Sequence, residues 1–171
     1  MSKFQLKNVR LSFPSLFKKA EFDGQATKFE ATFLMEKDSE QAKMVQAEID
    51  KFLKAKFPNG APKSIKHTVF VDGDTKDYDG YEGMMAFKGS NNKRPTVIDR
   101  DRTPLAEEDD VIYAGCYVNA IVDLWYSDHS KGGKQVLGNV LGVQFVKDGE
   151  VFGTDTTAKA DDFEDISDDD F

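Results

Sequence analysis

Apolar residues alternate with polar ones along the first part of the chain. Within residues 3–13 they recur at every second position but change phase once: Phe4, Leu6, Val9, Leu11 and Phe13. This pattern predicts a strand that has a β-bulge near Asn8 and that ends at Pro14. A second strand is expected over residues 27–35, whose apolar face holds Phe29, Ala31, Phe33 and Met35. The segment between them, residues 15–26, is expected to be a loop.

The spacing then changes to that of a helix. After Asp38, apolar residues recur three and four positions apart: Ala42, Val45, Ile49, Phe52, Leu53 and Phe57. This stripe predicts an amphipathic helix, with Asp38 as its N-cap and Gln41 completing a variant of the capping box. The turn that begins at Pro58 ends it.

The rest of the sequence is typical of a β protein. Short apolar runs alternate with Gly-rich turns, and two longer segments, residues 111–127 and 136–146, are rich in residues that favour strands. Many short strands with one helix predict a small β-barrel. From Thr154 onwards few residues are apolar, so we expect a folded domain over residues 1–153 and a disordered tail over 154–171.

The charge is distributed unevenly along the chain. The net charge is −8, but residues 161–171 alone carry seven acids and no base. The other 160 residues are nearly neutral, and residues 1–70 carry 13 bases against eight acids. An acidic protein of this kind is still compatible with a nucleic-acid ligand, because the negative charge is concentrated in one tail. That tail ends in Asp168, Asp169, Asp170 and Phe171, which we expect to bind a partner protein through one ring and several charges.

Aromatic and basic side chains are interleaved in the predicted domain. Sequence-independent binding of a single strand needs rings on which bases stack and a track of cations for phosphates. The expected phosphate contacts are Arg10, Lys18, Lys19, Lys88, Lys93, Arg94 and Arg100, and the expected stacking residues are Tyr78, Tyr81, Tyr113 and Trp125. The alternative is that many of the aromatic residues fill the core, and for Trp125 in particular both interpretations stay open.

No pattern in the sequence favours catalysis, a metal or a cofactor. The single cysteine, Cys116, and two histidines are too few for a zinc site. Residues 72–80 are rich in acids, but a calcium loop that began at Asp72 would need a Glu at its twelfth position, and that position is Gly83. The lone cysteine and the absence of an apolar leader in MSKFQLKNVR predict a cytoplasmic protein.

Six blocks follow one another over residues 10–153: RLSFPSLF, KFEATFLMEKDS, VDGD, SNNKRPTVID, IYAGCYVNA and LGVQFVKDGEVFG. In these blocks the chain resembles a family of phage single-stranded DNA-binding proteins, formerly catalogued as a domain of unknown function. More distantly, it resembles replication proteins of short-tailed phages that join an oligonucleotide-binding (OB) barrel to an acidic tail. The resemblance implies an OB fold, a role in DNA replication or recombination, and no enzymatic activity.

The sequence therefore predicts a protein that coats single-stranded DNA in an infected bacterial cell, with a tail that modulates DNA binding and recruits replication or recombination proteins. Assembly into a homo-oligomer or cooperatively on DNA is compatible with it. Two alternatives remain. One is a phage interaction protein whose acidic tail mimics DNA, and the other is a metal-dependent nuclease using Asp72, Asp74, Asp77 and Asp79.

Overall fold

Strand is the most frequent secondary structure in the described chain. A computed structural model describes residues 3–66, 68–129, 131–152 and 163–167. Its elements are β1 (Phe4–Ser15), β2 (Glu21–Phe22), β3 (Gln25–Ala26), β4 (Phe29–Glu36), α1 (Glu40–Lys56), β5 (Phe70–Asp72), β6 (Met84–Asn91), β7 (Thr96–Ile98), β8 (Tyr117–His129) and β9 (Gly133–Lys147), with short 3₁₀ turns at Gly73–Thr75 and Glu107–Asp109.

Five of the strands close into a barrel. Antiparallel pairs join β6, β4, β1, β8 and β9 in that order, and a short parallel pairing between β6 and β9 completes the ring. β5 adds to β6, and β7 adds to β9. This is the five-stranded arrangement of an OB fold, so the predicted mainly β, one-helix barrel is confirmed.

Glycine makes the closure possible. Gly89 of β6 lies opposite Gly138 of β9. A Cβ on Gly138 would lie 2.8 Å from Cζ of Phe87 and 3.0 Å from the carbonyl oxygen of Lys88. A side chain at this position therefore has no room, and the two strands approach closely only because it is glycine.

The inner faces of the strands form one core. Successive side chains of a strand alternate between its two faces, so alternate residues of β1, β4, β6 and β8 point inward. The largest side chains that are almost completely buried include Phe33, Phe87, Leu6 and Leu11. The second predicted strand is confirmed here, since Ala31, Phe33 and Met35 are all in this core.

The helix packs on the core as its stripe predicts. Ala42, Val45 and Ile49 are buried, and Phe57 meets the ring of Tyr126 edge-on at 5.2 Å. The predicted N-cap is wrong by one residue, because Ser39 rather than Asp38 accepts the hydrogen bond from the Ala42 N–H (3.2 Å). The side-chain Oε1 of Gln41 instead accepts from the Lys7 N–H (2.9 Å).

The first strand contains a bulge, and the segment that follows it contains a short hairpin. The predicted bulge is confirmed, since Asn8 has φ 51° and the β1–β8 register shifts between Leu6 and Val9. The expected loop at residues 15–26 contains the β2–β3 hairpin, which was not predicted. Its turn is Asp23-Gly24, and both residues have positive φ, the geometry that hairpin turns prefer.

No helix in the described part of the chain is long and apolar enough to cross a membrane. The tail residues Asp168, Asp169, Asp170 and Phe171 lie outside the described residues, as do 153–162. The predicted boundary near residue 153 therefore stays a prediction.

Candidate nucleic-acid interface

Three aromatic rings meet on the outer surface of the barrel. The rings of Phe13 and Tyr78 are 4.9 Å apart, and those of Tyr78 and Tyr81 are 5.2 Å apart. Phe13 is 55% exposed and Tyr78 is 53% exposed, whereas Tyr81 is 3% exposed. We call Phe13 and Tyr78 the aromatic shelf. Exposed apolar rings that lie together on a surface are candidates for a binding site.

Tyr81 supports the shelf from below. Its hydroxyl forms a 2.9 Å hydrogen bond with Oγ of Ser12, which is itself buried. Burial raises the pKa of the Tyr81 phenol, so the phenol stays protonated as a donor. Tyr81 was predicted to stack on bases. It lines a groove beside the shelf, but its ring is almost completely buried, and the stacking role stays a prediction.

Phe13 points outward because the end of β1 is irregular. The pairing of β1 with β4 shifts register between Ser12 and Ser15, and Phe13 has φ 45°. The alternation predicted Phe13 on the buried face with Leu11, and this was wrong. A positive φ is uncommon for a bulky residue and costs free energy, and such strain is concentrated at functional sites.

A groove runs from the shelf across the outer face of β4 and β6. It encloses about 370 Å³, and its lining includes Thr32, Lys76 and Lys88 beside the shelf residues. Lys88 lies opposite Thr32 in the sheet, and its Nζ is 3.5 Å from Oε2 of Glu30. In OB folds this face of the second and third barrel strands binds oligonucleotides. The groove thus combines open ring faces with cations.

An ion-pair hub fixes the segment that carries Tyr78. Nζ of Lys37, just after β4, is 2.8 Å from Oδ1 of Asp72 and also contacts Oδ2 of Asp74. The other oxygen of Asp74 accepts from the Gly83 N–H (2.8 Å). Both ends of the 72–83 segment are therefore tied to the same lysine.

The hub also weighs against the nuclease alternative. The hydrogen bonds from Lys37 lower the pKa of Asp72 and of Asp74, and the two carboxylates raise the pKa of Lys37. A carboxylate that neutralises a lysine is a poor metal ligand. Within the described ranges, no group of three or more His, Cys, Asp and Glu side chains is placed to hold a metal ion.

Several predicted phosphate contacts surround the segment between β1 and β4. Nζ of Lys18 is 3.6 Å from Oε2 of Glu107, Nζ of Lys19 is 6.0 Å from the ring centre of Phe29, and Cζ of Arg94 is 5.4 Å from that of Phe17. All three cations are exposed. In OB folds this segment borders the binding face, so these cations are placed to extend the groove.

Lys93 and Arg100 lie in exposed turns beside β7. The Lys93 N–H donates to Oδ1 of Asn91 (3.0 Å), and the carbonyl oxygen of Arg100 accepts from Nε2 of Gln144 (3.2 Å). Both side chains are exposed, but neither lines the groove.

The half-buried side chain of Arg10 is already engaged in contacts within the protein. Its Nε donates to the Gly115 carbonyl (3.1 Å) and its Nη2 to the Glu150 carbonyl (2.6 Å), while Cζ lies 4.1 Å from the ring centre of Phe152. This predicted phosphate contact therefore holds the segment that follows β9 against the barrel. A phosphate would have to compete with these bonds.

The last two predicted stacking residues lie away from the shelf. The Tyr113 hydroxyl is 3.0 Å from Oδ1 of Asp148 and bonds to both backbone groups of Gly149, so Tyr113 joins two loops. Trp125 is half-buried on β8, with Nζ of Lys28 5.8 Å from its ring centre. The sequence prediction missed Phe13 and Lys76, which line the groove. It included Tyr78, Tyr81 and Lys88, which line it too.

The hub predicts a pH-dependent contribution to stability. A carboxyl group whose pKa is lower in the folded than in the unfolded protein stabilises the fold above its unfolded pKa, and this contribution is lost on acidification. A lysine whose pKa is higher in the folded protein stabilises the fold below its unfolded pKa, and this contribution is lost as the pH rises. Lys37→Met should therefore lower the thermal midpoint between about pH 5 and 9, and the difference from wild type should shrink below about pH 4. Lys43→Met, an exposed lysine on α1, is the control and should change little. A wild-type advantage that persists undiminished at pH 2 would contradict the hub.

Comparisons with known proteins identify the relatives of this chain. The family described as Enterobacter phage Enc34, ssDNA-binding protein matches residues 2–171. Putative protein p50 of Acyrthosiphon pisum secondary endosymbiont phage 1 is 38% identical over 175 residues, covering 96% of this chain and 94% of that protein.

Solved structures show the same fold. The single-stranded DNA-binding protein from bacteriophage Enc34, in complex with ssDNA, has a TM-score of 0.74 and 30% identity over 88% of this chain and 89% of that one. The gp2.5 single-stranded DNA-binding protein of bacteriophage T7 has a TM-score of 0.64 at 13% identity, covering 93% of this chain and 98% of that one, and shares the fold. The chain belongs to the family of phage single-stranded DNA-binding proteins represented by that of Enc34.

Proposed function

We propose that this protein binds single-stranded DNA, without sequence preference, in the groove beside the aromatic shelf. The observation that carries the proposal is the exposed pair Phe13 and Tyr78 next to Lys76 and Lys88 on the outer face of β4 and β6. Bases stack on the two rings, and stacking tolerates any base because every base has a π-face. The lysines neutralise phosphates.

The other exposed cations extend the track. Lys18 and Lys19 lie between β1 and β2, Lys93 and Arg94 lie between β6 and β7, and all four are exposed, so a strand that leaves the shelf can continue along them. Arg100 follows β7 and is also exposed. Each neutralised phosphate releases counterions, so affinity falls with salt.

In the cell, this binding serves to coat exposed strands during phage replication or recombination, in the cytoplasm of the host and without a metal or cofactor. The protein holds the strand open and protects it rather than reacting with it. The related Enc34 protein, whose structure is a complex with ssDNA, supports the DNA binding on which this role depends.

We further propose that the acidic tail, residues 154–171, competes with DNA for the groove. The root of the tail supports this: Phe152 donates its N–H to the Ala114 carbonyl (3.1 Å) and lines a second, shallow groove together with Phe13 and Tyr78. The chain that leads to the seven acids of 161–171 thus leaves beside the shelf. A tethered polyanion at this position has a high effective concentration at the cations.

Partner recruitment is a separate role of the same tail. Asp168, Asp169, Asp170 and Phe171 are proposed to bind a phage or host replication or recombination protein. Their ring and carboxylates offer one apolar anchor and several charges.

Removing the shelf tests DNA binding. Phe13→Ala and Tyr78→Ala should each weaken binding of a short oligo-dT about five- to 150-fold, since a stacked base contributes about 1–3 kcal/mol. Phe22→Ala, which removes a ring that is 73% exposed outside the groove, is the matched control and should bind normally. Electrophoretic mobility shift at fixed salt measures all three. Unchanged affinity in both shelf variants would rule out the groove, and strand cleavage in magnesium or manganese would favour the nuclease alternative.

Removing the tail tests competition. Deletion of residues 155–171 should raise affinity for the same oligonucleotide, most at low salt, where the tail's charges are least screened. Deletion of Phe171 alone keeps all seven acids and should leave DNA affinity nearly unchanged while stimulation of the partner is lost. Equal affinity of the full-length and truncated proteins at low salt would refute competition. No affinity in either form would favour the DNA-mimic alternative.

A further inference from the structure

The β2–β3 hairpin presents an apolar residue between two acids. Phe22 is 73% exposed and lies between Glu21 and Asp23 at the turn. The hairpin is continued by backbone hydrogen bonds between Ala20 and Lys28 (2.8 Å) and between Thr27 and Ala20 (2.7 Å). We call Glu21–Asp23 the knob. It is ordered before any contact forms, so docking it costs little conformational entropy.

A groove of matching character lies between α1 and the end of β8. It encloses about 540 Å³ and is lined by Phe4, Glu48, Lys51, Phe52, Ala55, Lys56, Leu124, Trp125 and Tyr126. We call it the α1–β8 groove. Lys51 and Lys56 are exposed on α1, and Nζ of Lys56 is 5.5 Å from the ring centre of Tyr126. Trp125 contributes its half-buried ring to the wall of this groove.

The two surfaces are complementary. An aromatic ring flanked by two carboxylates fits an apolar groove whose lining carries two lysines against one acid, Glu48. The knob and the groove are separate surfaces of one molecule, since no knob residue lines the groove.

We propose that the knob of one copy docks into the α1–β8 groove of the next copy bound to the same DNA strand. This rests on the proposed function and deepens it. Because the knob and the groove are different surfaces, the contact is head-to-tail and repeats without closing, as an array along a strand requires. A single ring and two charges form a weak contact in solution, and a shared strand strengthens it by raising the effective concentration of neighbours.

The acidic tail is a competing occupant of the same groove. Phe163 and Ile166 are also exposed and lie among acids. The hairpin is favoured because its backbone is already paired, whereas binding the tail has to order a longer segment.

Binding to two lengths of DNA tests the contact. On an oligonucleotide with room for one copy, Phe22→Ser should bind like wild type. On a strand with room for many copies, it should bind about tenfold more weakly per copy, with a less steep isotherm. Gln25→Ser, on the same hairpin, is the control and should match wild type on both lengths.

A charge exchange tests the partner surface. Wild type should bind more tightly per copy on the long strand than on the short oligonucleotide. This advantage should be lost in two double variants, Glu21→Lys with Asp23→Lys and Lys51→Glu with Lys56→Glu. The protein that carries all four changes should regain it. An equal loss for Phe22→Ser on the short oligonucleotide would overturn the proposal, because the knob then contacts DNA. Loss of the advantage on tail deletion but not in Phe22→Ser would also overturn it in favour of the tail. Failure of wild type to bind the short oligonucleotide would refute the proposed function itself.

Discussion

The pairing of β6 with β9 is the constraint on which the rest of the structure depends. It closes the five strands into a ring, so one face of every strand becomes core and the other faces water. The closure is short, with two register pairs centred on Gly89, Gly138 and their neighbours, and it needs glycine because a Cβ would meet Phe87. After closure the core lies inside the barrel, so a large aromatic side chain that is exposed on the outside contributes nothing to the packing of that core.

The aromatic shelf is such an exposed pair, and the protein fixes it at several points. A bulge turns Phe13 outward, Tyr81 lies beneath Tyr78, and the ion pairs of Lys37 hold the segment between β5 and β6. The strain at Phe13 is thus compensated by contacts that order its surroundings. A preorganised pair of rings loses little entropy when bases stack on it.

The sequence predicted the elements with local causes well. The stripe Ala42, Val45 and Ile49 identified the helix, and the change of phase identified the bulge at Asn8. The Asp23-Gly24 pair carries a hairpin signal that the prediction did not use. The alternation placed Phe13 on the same face as Leu11, because the second irregularity, between Ser12 and Ser15, was not predicted. The nearby Pro14 was a local sign of it.

Residue roles set by distant contacts could not be predicted. Tyr81 is buried through a bond to Ser12, 69 positions away, and Arg10 is held by Gly115 and by Glu150, 140 positions away. Nothing near Arg10 in the sequence distinguishes it from a cation that contacts phosphate. Composition identified the right residue types, and the barrel decides which of them face the groove.

The most direct measurement of the central claim is an NMR titration of the aromatic ring protons with a short oligo-dT. Stacking places a base over each ring of the shelf, so the ring signals of Phe13 and Tyr78 should shift strongly and in parallel as the DNA saturates. The signals of Phe22 and Tyr113, outside the groove, should move little. Saturation of binding with the Phe13 and Tyr78 signals unmoved would contradict the account.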